Sequence, residues 1–179
     1  MSKGYLRPRT IGHIGDQMRF IVAFDSFYGN TRKVAEYVAS ELIKQGNEIE
    51  LINLKEGRPK VVKGDALILG SPTRMGKMTR RSSKFAKKLE EEEWKEKTIA
   101  VFDTVMQLPE DEKKRAKALK WTENGAAIRL KAMLRQRGFL VSDKVLRVEV
   151  IGLKGPLSFA AEEQSRTWAR DLLASLASE

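Results

Sequence analysis

The stretch Phe20-Ile21-Val22-Ala23-Phe24-Asp25-Ser26-Phe27-Tyr28-Gly29-Asn30-Thr31 decides how this chain folds. Its apolar run at 20–24 predicts a buried strand, and the residues after Thr31 repeat apolar side chains at helical spacing. A strand that enters a helix through a short polar loop directs the free N–H groups and the positive end of the helix dipole at an anion. The stretch therefore predicts a parallel α/β sheet with a phosphate site at the end of its first strand.

The loop itself is rich in hydrogen-bond donors. Ser26, Tyr28, Asn30 and Thr31 can add side-chain contacts, and Gly29 lets the backbone turn closely around a ligand. The loop contains no lysine, which suits a cofactor that stays bound better than a nucleotide that is hydrolysed. Asn30 and Thr31 are also common helix-capping residues, so these residues alone leave a purely structural cap as an alternative.

Composition limits the classes of protein that the chain can represent. Its 179 residues are 41% hydrophobic, which suits one domain with a proper core, and 34 Lys+Arg against 24 Asp+Glu give a net charge of +10. The positive charge indicates acidic partners or nucleic acid. The chain has no cysteine and one histidine, His13, which excludes disulfides, thiol catalysis and a histidine-based metal site or triad. With no apolar run long enough to cross a membrane, we expect a soluble cytoplasmic protein without a metal.

Strands and helices alternate from Met18 onward. Residues 1–17 lack this periodicity and are expected to form a flexible N-terminal arm, and residues 18–179 a single domain. A charged segment at 110–120 is expected as a short helix inserted after the fourth strand. Strands are expected at about 19–25, 49–54, 66–69, 98–102 and 145–151. Five strands separated by helices predict a doubly wound, three-layer α/β/α domain.

Ligands of such sheets bind beyond the carboxyl ends of the strands. Three loops are expected there, at 26–31, 71–78 and 104–108. The segment from Gly70 to Lys77 superficially matches a Walker phosphate loop, but Met78 stands where that motif needs a hydroxyl for magnesium. The spacing of its glycines is also wrong, so a nucleotide hydrolase is excluded.

At this point the chain resembles the flavodoxin family. The resemblance rests on the 26–31 loop, on Gly70-Ser71-Pro72-Thr73-Arg74-Met75-Gly76, and on Phe102-Asp103-Thr104 after the fourth strand. It covers nearly all of residues 18–177 in element order, and its second motif is most similar to flavodoxin-fold NAD(P)H:quinone oxidoreductases. The resemblance implies a five-stranded parallel sheet of order 2-1-3-4-5 and an FMN cofactor.

The resemblance also implies which residues bind FMN. In the family, a peptide of the second loop meets flavin N5, and Met75-Gly76 is the candidate in this chain. The phosphate would be held by Ser26, Tyr28, Gly29, Asn30 and Thr31; the ribityl chain and ring by Pro72, Thr73, Arg74, Met75, Gly76 and Lys77; and the third wall would be Thr104, Val105 and Met106. No catalytic residue is assigned, because the flavin carries the electrons.

The chain departs from the family in two ways. Loops 71–78 and 104–108 contain no aromatic residue to stack on a flavin, and no histidine is available near them. Trp121 is open to two interpretations: it covers the flavin, from the inserted helix or from the second subunit of a homodimer, or it only covers its own helix. The missing histidine favours an electron carrier over an NAD(P)H:quinone oxidoreductase, which remains the alternative.

Positive charge is concentrated between Arg74 and Lys88, a segment without a carboxylate. Arg74, Lys77, Arg80 and Arg81 are expected at the flavin edge, where they would dock an acidic redox protein such as a ferredoxin. Arg74 and Lys77, beside the ring, would also raise its reduction potential. Lys84, Lys87 and Lys88 are interpreted as a solvated face balanced by residues 90–93. A nucleic-acid-binding or interaction module is the alternative of another class, although the basic segments lack interleaved aromatics.

Overall fold

The computed structural model describes residues 17–57, 59 and 62–178. Apart from Gln17, the N-terminal arm expected at 1–17 lies outside the described residues. The described chain contains, in order, β1 (Arg19–Phe24), α1 (Asn30–Lys44), β2 (Glu48–Asn53), β3 (Ala66–Pro72), α2 (Arg80–Lys87), α3 (Glu91–Trp94), β4 (Ile99–Met106), α4 (Glu112–Thr122), α5 (Ala126–Gln136), β5 (Leu146–Val150) and α6 (Ala161–Leu176).

All five strands are parallel, and they lie in the order β2-β1-β3-β4-β5. This arrangement confirms the predicted fold class. The strand order reverses between β1 and β3, because the chain first builds outward to β2 and then returns to the other side of β1. That reversal opens a crevice at the carboxyl ends of the strands.

The sheet divides the hydrophobic core into two halves, one on each of its faces. Because successive side chains of a strand point to opposite faces, Ile21 and Ala23 of β1 pack with α2 and α5, while Phe20, Val22 and Phe24 pack with α1 and α6. The central strands are buried on both faces, which explains why their sequences are continuous apolar runs. Trp94 of α3 is fully buried in the α2–α5 half of the core.

Two strands extend further than their apolar runs. β3 continues to Pro72 and β4 to Met106, because β4 pairs with β3 as far as Thr104 and with β5 as far as Val150. The expected loop at 104–108 is therefore wrong for residues 104–106, which lie in the strand. Backbone pairing with two neighbours continues the strand through Asp103 and Thr104, whose polar side chains end the hydrophobic pattern.

The inserted helix α4 lies near the expected position but packs unlike the other helices. No residue of α4 is buried, whereas α1, α5 and α6 each bury at least four residues. Within the described ranges, no helix is long and apolar enough to span a bilayer. Since α4 has no buried face, its position depends on the contacts at its ends.

Candidate functional site

A cleft of about 390 Å³ opens at the carboxyl ends of β1, β3, β4 and β5. Its walls come from the β1–α1 loop, the turn after β3, the end of β4, the helix α4 and the loop after β5. The lining residues are Ser26, Phe27, Tyr28, Asn30, Thr31, Pro72, Thr73, Arg74, Met75, Thr104, Val105, Met106, Gln107, Pro109, Ala118, Trp121, Thr122, Val150, Gly152 and Leu153. The size and the mostly apolar lining suit a small-molecule ligand with a few polar anchor points.

The β1–α1 loop forms a cradle of backbone N–H groups. Gly29 is the N-cap of α1, with φ of 89° and no side-chain capping bond. The interpretation of Asn30 and Thr31 as simple caps is therefore wrong, because both lie inside the helix. The Ser26 hydroxyl oxygen accepts hydrogen bonds from the N–H groups of Gly29 at 3.1 Å and Arg32 at 3.4 Å. The turn thus holds an oxygen atom at the positive end of a helix, as an anion site does.

Two side chains from the first turn of α1 connect the helix to neighbouring elements. The buried hydroxyl of Thr31 lies 2.8 Å from that of Thr104 in β4, and the two share a hydrogen bond. The Asn30 amide nitrogen donates to the Lys154 carbonyl oxygen at 3.1 Å, which attaches the loop after β5. Thr31 and Asn30 therefore line the cleft and also hold its walls together.

The cradle receives little positive charge from the side chains next to it in sequence. Arg32 pairs with Glu36 on the exposed side of α1 at 2.8 Å. Beneath the loop, the buried carboxylate of Asp25 accepts the Ser26 N–H at 3.0 Å, and Arg81 lies 3.5 Å from the same oxygen. The other carboxylate oxygen of Asp25 has no hydrogen-bond partner in the described part of the chain. Arg81 therefore lies within reach of a buried acid, while about half of its side chain stays exposed.

The turn after β3 projects Met75 into solvent at the edge of the cleft. Arg74 and Lys77 exchange two backbone hydrogen bonds of 2.9 Å, and the two residues between them both have positive φ, 48° at Met75 and 73° at Gly76. Such a two-residue turn favours glycine at its second position. Gly76 is buried against the Trp121 backbone and does not line the cleft, while Lys77 points into a separate groove.

An arginine fixes this turn from behind. Arg129 of α5 donates through Nε to the carbonyl oxygens of Gly76 at 2.7 Å and Asn124 at 2.8 Å. One side chain thereby joins the turn after β3 to the junction between α4 and α5. No residue next to Arg129 in the sequence, and no local motif, indicates this contact.

A buried polar network supports the opposite wall. Asp103 of β4 accepts from the Thr73 hydroxyl at 2.8 Å, the Ala127 N–H at 3.1 Å and the Arg147 guanidinium at 3.0 Å. Arg147 also donates to the Thr122 carbonyl oxygen at 2.6 Å, at the end of α4. The network explains how α4, which has no buried residue, is held at the cleft with Trp121 facing it.

Aromatic side chains line the cleft, although the loops at 71–78 and 104–108 contain none. Phe27 and Tyr28 come from the first loop and Trp121 from α4, and each is about half exposed. The interpretation of Trp121 as a cover for its own helix only is wrong, since it lines the cleft. Arg74 lies over Phe27, with 4.3 Å between its guanidinium carbon and the ring centre, and Lys154 lies 5.9 Å from the Tyr28 ring centre. These contacts place two cations at the mouth.

Most residues predicted from the sequence come together in this cleft, and their binding roles remain predictions. Gly29, Gly76 and Lys77 do not line it: the two glycines shape its turns, and Lys77 turns away. Sequence reasoning missed Phe27, Leu153 and the α4 residues Ala118 and Thr122, whereas it leaves Trp121 open between the flavin and its own helix. Phe27 stands inside the predicted phosphate loop, so its position was a usable signal, whereas the others depend on long-range packing. The described residues contain no cluster of side chains that could hold a metal ion.

A five-stranded parallel sheet of order 2-1-3-4-5, with a cleft at its point of reversal, is the arrangement of flavodoxin-like α/β proteins. The sequence profile of the Flavodoxin domain matches residues 21–147. The chain belongs to this family. No curated protein sequence matches the chain significantly.

Solved structures with the same fold include several flavodoxins. A flavodoxin from the domain Archaea has a TM-score of 0.68 at 20% identity, over 89% of this chain and 99% of that one. A WrbA-like flavodoxin from Agrobacterium tumefaciens has a TM-score of 0.62 at 20% identity, over 91% and 100%. The flavodoxin of Fusobacterium nucleatum bound to flavin mononucleotide has a TM-score of 0.62 at 15% identity, over 89% and 99%. At these identities the similarity shows a shared fold.

Proposed function

We propose that this protein binds FMN in the cleft and carries electrons between redox partners. The observation that carries the proposal is the combination, in one cleft, of a helix N-terminal anion cradle with aromatic and thioether walls. FMN has the matching shape, with a terminal phosphate, a polar ribityl chain and a flat apolar ring. The Fusobacterium flavodoxin, which was solved with flavin mononucleotide, supports the choice of cofactor.

The residues present fit this cofactor. The backbone N–H groups around Gly29 and the Ser26 hydroxyl would hold the phosphate, and Thr73 and Thr104 offer hydroxyls along the cleft. Tyr28, Trp121 and Met75 offer surfaces for the ring, the last through a polarizable sulfur. The bound flavin would supply the electron-transfer chemistry. The protein positions it, and the cations of Arg74 and Lys154 at the mouth favour its reduced form and raise its potential.

FMN is preferred to FAD in this proposal. The cradle is a tight turn between β1 and α1, and no Gly-x-Gly-x-x-Gly turn is present to receive a pyrophosphate. Mass spectrometry of the cofactor released from the purified protein tests the preference. FAD as the main species would contradict it.

Purified protein should be yellow and contain one FMN per chain. In apo protein titrated with FMN, the Ser26→Ala, Thr31→Ala double variant should weaken binding by about 100-fold. The variant loses the Ser26 hydroxyl, which orders the Gly29 and Arg32 N–H groups, and the Thr31 hydroxyl, which joins the start of α1 to Thr104. The control is Ser40→Ala, which removes an exposed hydroxyl further along α1. Equal FMN affinity in the double variant and the control would contradict the assignment of the β1–α1 turn as the phosphate site.

An NAD(P)H:quinone oxidoreductase is the second candidate. The observation that favours it is the pair of cations at the mouth, Arg74 and Lys154, which could bind the phosphates of NADPH. Mixing the FMN-loaded protein anaerobically with NADPH distinguishes the two. Flavin bleaching within milliseconds to seconds, followed by quinone turnover, would favour the oxidoreductase over the carrier.

A further inference from the structure

A shallow groove lies beside the flavin cleft, on the other side of the turn after β3. Its charged lining consists of six cations and no carboxylate, and we name it the basic groove: Lys77, Arg80, Lys84, Lys87, Lys88 and Arg129. Met78, Thr79 and Ser83 form its floor. The groove is separate from the cleft, with which it shares no lining residue.

The cations of α2 repel one another without compensation. Arg80, Lys84 and Lys87 repeat at helical spacing on one face, where like charges destabilise a helix. Across the described residues, none of these three side chains forms an ion pair, and Glu91 and Glu93 pair instead with Arg137 and Lys97. Lys84 and Lys87 are exposed, as the interpretation of a solvated face expects, but among the described residues neither forms an ion pair with residues 90–93. Because the folded protein keeps these like charges side by side, an anionic partner bound along them would relieve their repulsion.

A single turn, from Arg74 to Lys77, lies between the basic groove and the cleft. Arg74 lines the cleft and Lys77 the basic groove, and their backbones are hydrogen-bonded to each other. Arg129 of the basic groove holds the Gly76 carbonyl in the same turn. A partner seated on the basic groove would consequently lie against the turn that forms the edge of the cleft.

The chemistry of the basic groove favours a protein over the other polyanions. Its lining has no aromatic side chain on which a base could stack. Its lysines are exposed point charges, and their flexible stems do not form the fixed bidentate arrangement that grips one phosphate. Exposed cations spread over a shallow surface match an array of carboxylates, and such complementarity mainly accelerates encounter.

We propose that the basic groove docks an acidic redox protein that exchanges electrons with the flavin. This inference rests on the proposed function, since it assigns a partner to the same cleft. It places the docking charge on Lys77, Arg80, Lys84 and Lys87, while Arg81 faces Asp25 and Arg74 stacks on Phe27. Full reduction of one FMN takes two electrons, one from each of two reduced ferredoxins, with the protons drawn from water.

The test uses an acidic [2Fe–2S] ferredoxin as the probe and Lys84→Gln, Lys87→Gln as the groove variant. In anaerobic stopped-flow mixing at low salt, the groove variant should accept electrons from reduced ferredoxin about tenfold more slowly than wild type. The difference should disappear as salt rises toward 0.5 M, because the surface charges become screened. The matched control is Lys44→Gln, Lys95→Gln, two exposed lysines that line neither the cleft nor the basic groove, which should react like wild type.

Two further measurements separate failure of this inference from failure of the proposed function. FMN content, and photoreduction by the neutral 5-deazariboflavin radical, report on the cleft alone and should be equal in all three proteins. Ferredoxin binding by apo protein, measured by titration calorimetry, should weaken in the groove variant whether or not flavin is loaded. Equal ferredoxin binding and equal electron-transfer rates in the groove and control variants would overturn the inference. So would tight binding of a DNA duplex that the groove variant loses while ferredoxin exchange stays unchanged.

Discussion

Gly125 shows how one residue can decide the geometry of a site. A Cβ atom at this position would lie 2.3 Å from the Arg147 guanidinium, 2.6 Å from the Thr73 hydroxyl and 2.9 Å from the Asp103 carboxylate. All three groups belong to the buried network that supports the wall of the cleft. Gly125 is needed because the network passes through the space that a side chain would occupy.

We expect Gly125→Ala to lower the free energy of unfolding by about 1–3 kcal/mol, because overpacking a fixed polar network forces its members apart. Urea denaturation measures the loss. The control is Gly152→Ala, whose Cβ would meet only the Gly155 carbonyl at an ordinary 3.4 Å, and which should change stability by less than about 1 kcal/mol. Equal effects of the two substitutions would show that the network does not fill this space tightly.

At the scale of elements, α4 is the helix whose position depends on contacts at its carboxyl end. It buries no residue, and its carboxyl end is held by Arg147 and Arg129 through the carbonyls of Thr122 and Asn124. A helix with few buried contacts is expected to open locally at low free energy. The aromatic wall that Trp121 contributes is therefore only as rigid as those arginine contacts.

Arg129→Gln should loosen α4 without unfolding the domain. Loss of the two Nε hydrogen bonds is expected to favour local opening by about 1.4 kcal/mol, which is about tenfold faster trypsin cleavage within α4 when opening and closing are fast compared with cleavage. The matched control, Arg135→Gln, lies on the same helix but contacts Val141 and Asp143 instead. Mass mapping of the first cleavage product measures the effect, and equal cleavage of the two variants would contradict it.

The packing of α1 against α6 contains a buried carboxylate that makes stability depend on pH. The hydrogen bond from Gln45, together with Arg170, lowers the pKa of Glu41 below its ordinary value of 4.5, against the opposing effect of burial. Because the folded-state pKa is the lower one, the stabilisation is complete above the unfolded-state pKa. It is lost as the pH falls through the folded-state pKa.

Glu41→Gln should therefore be less stable than wild type at pH 7, by about 1–3 kcal/mol, and the difference should shrink as the pH falls below about 4.5. Chemical denaturation at several pH values measures the two curves. The control, Glu36→Gln on the same helix, removes only an exposed ion pair with Arg32 and should differ by less than about 1 kcal/mol throughout. A constant difference between pH 7 and pH 3 would contradict the assignment.

At the scale of the whole molecule, a ligand that binds only the folded state must stabilise it. FMN at 100 times its dissociation constant should stabilise the protein by about 2.7 kcal/mol, which for a chain of this size raises Tm by roughly 5–10 °C. Riboflavin, which lacks the phosphate, should raise Tm much less at the same concentration. Thermal denaturation followed by circular dichroism measures both, and equal shifts would show that the cradle at α1 contributes nothing to binding.

The sequence alone was sufficient for the architecture of the sheet and for the polar turn after β1. Apolar runs, helical spacing and a glycine between hydroxyls are short-range signals, and each is read within a dozen neighbouring residues. For the same reason the segments 26–31 and 72–75 were predicted together with their setting at the carboxyl ends of β1 and β3. The ends of β3 and β4 were missed because strand pairing, which is long-range, continues past the hydrophobic pattern.

What the sequence determined by itself is therefore the order of strands and helices, the family resemblance and the local chemistry of each loop. Only the tertiary structure decided how those loops meet. Arg147 reaches Asp103 across 44 residues, Arg129 reaches Gly76 across 53, and Asn30 reaches Lys154 across 124. The tertiary structure also decided which cations lie near an acid, because Arg81 approaches Asp25 while Lys84 and Lys87 form no ion pair among the described residues. The physical reason is that charge pairing and cleft walls depend on distances in space, and separation along the chain does not encode those distances.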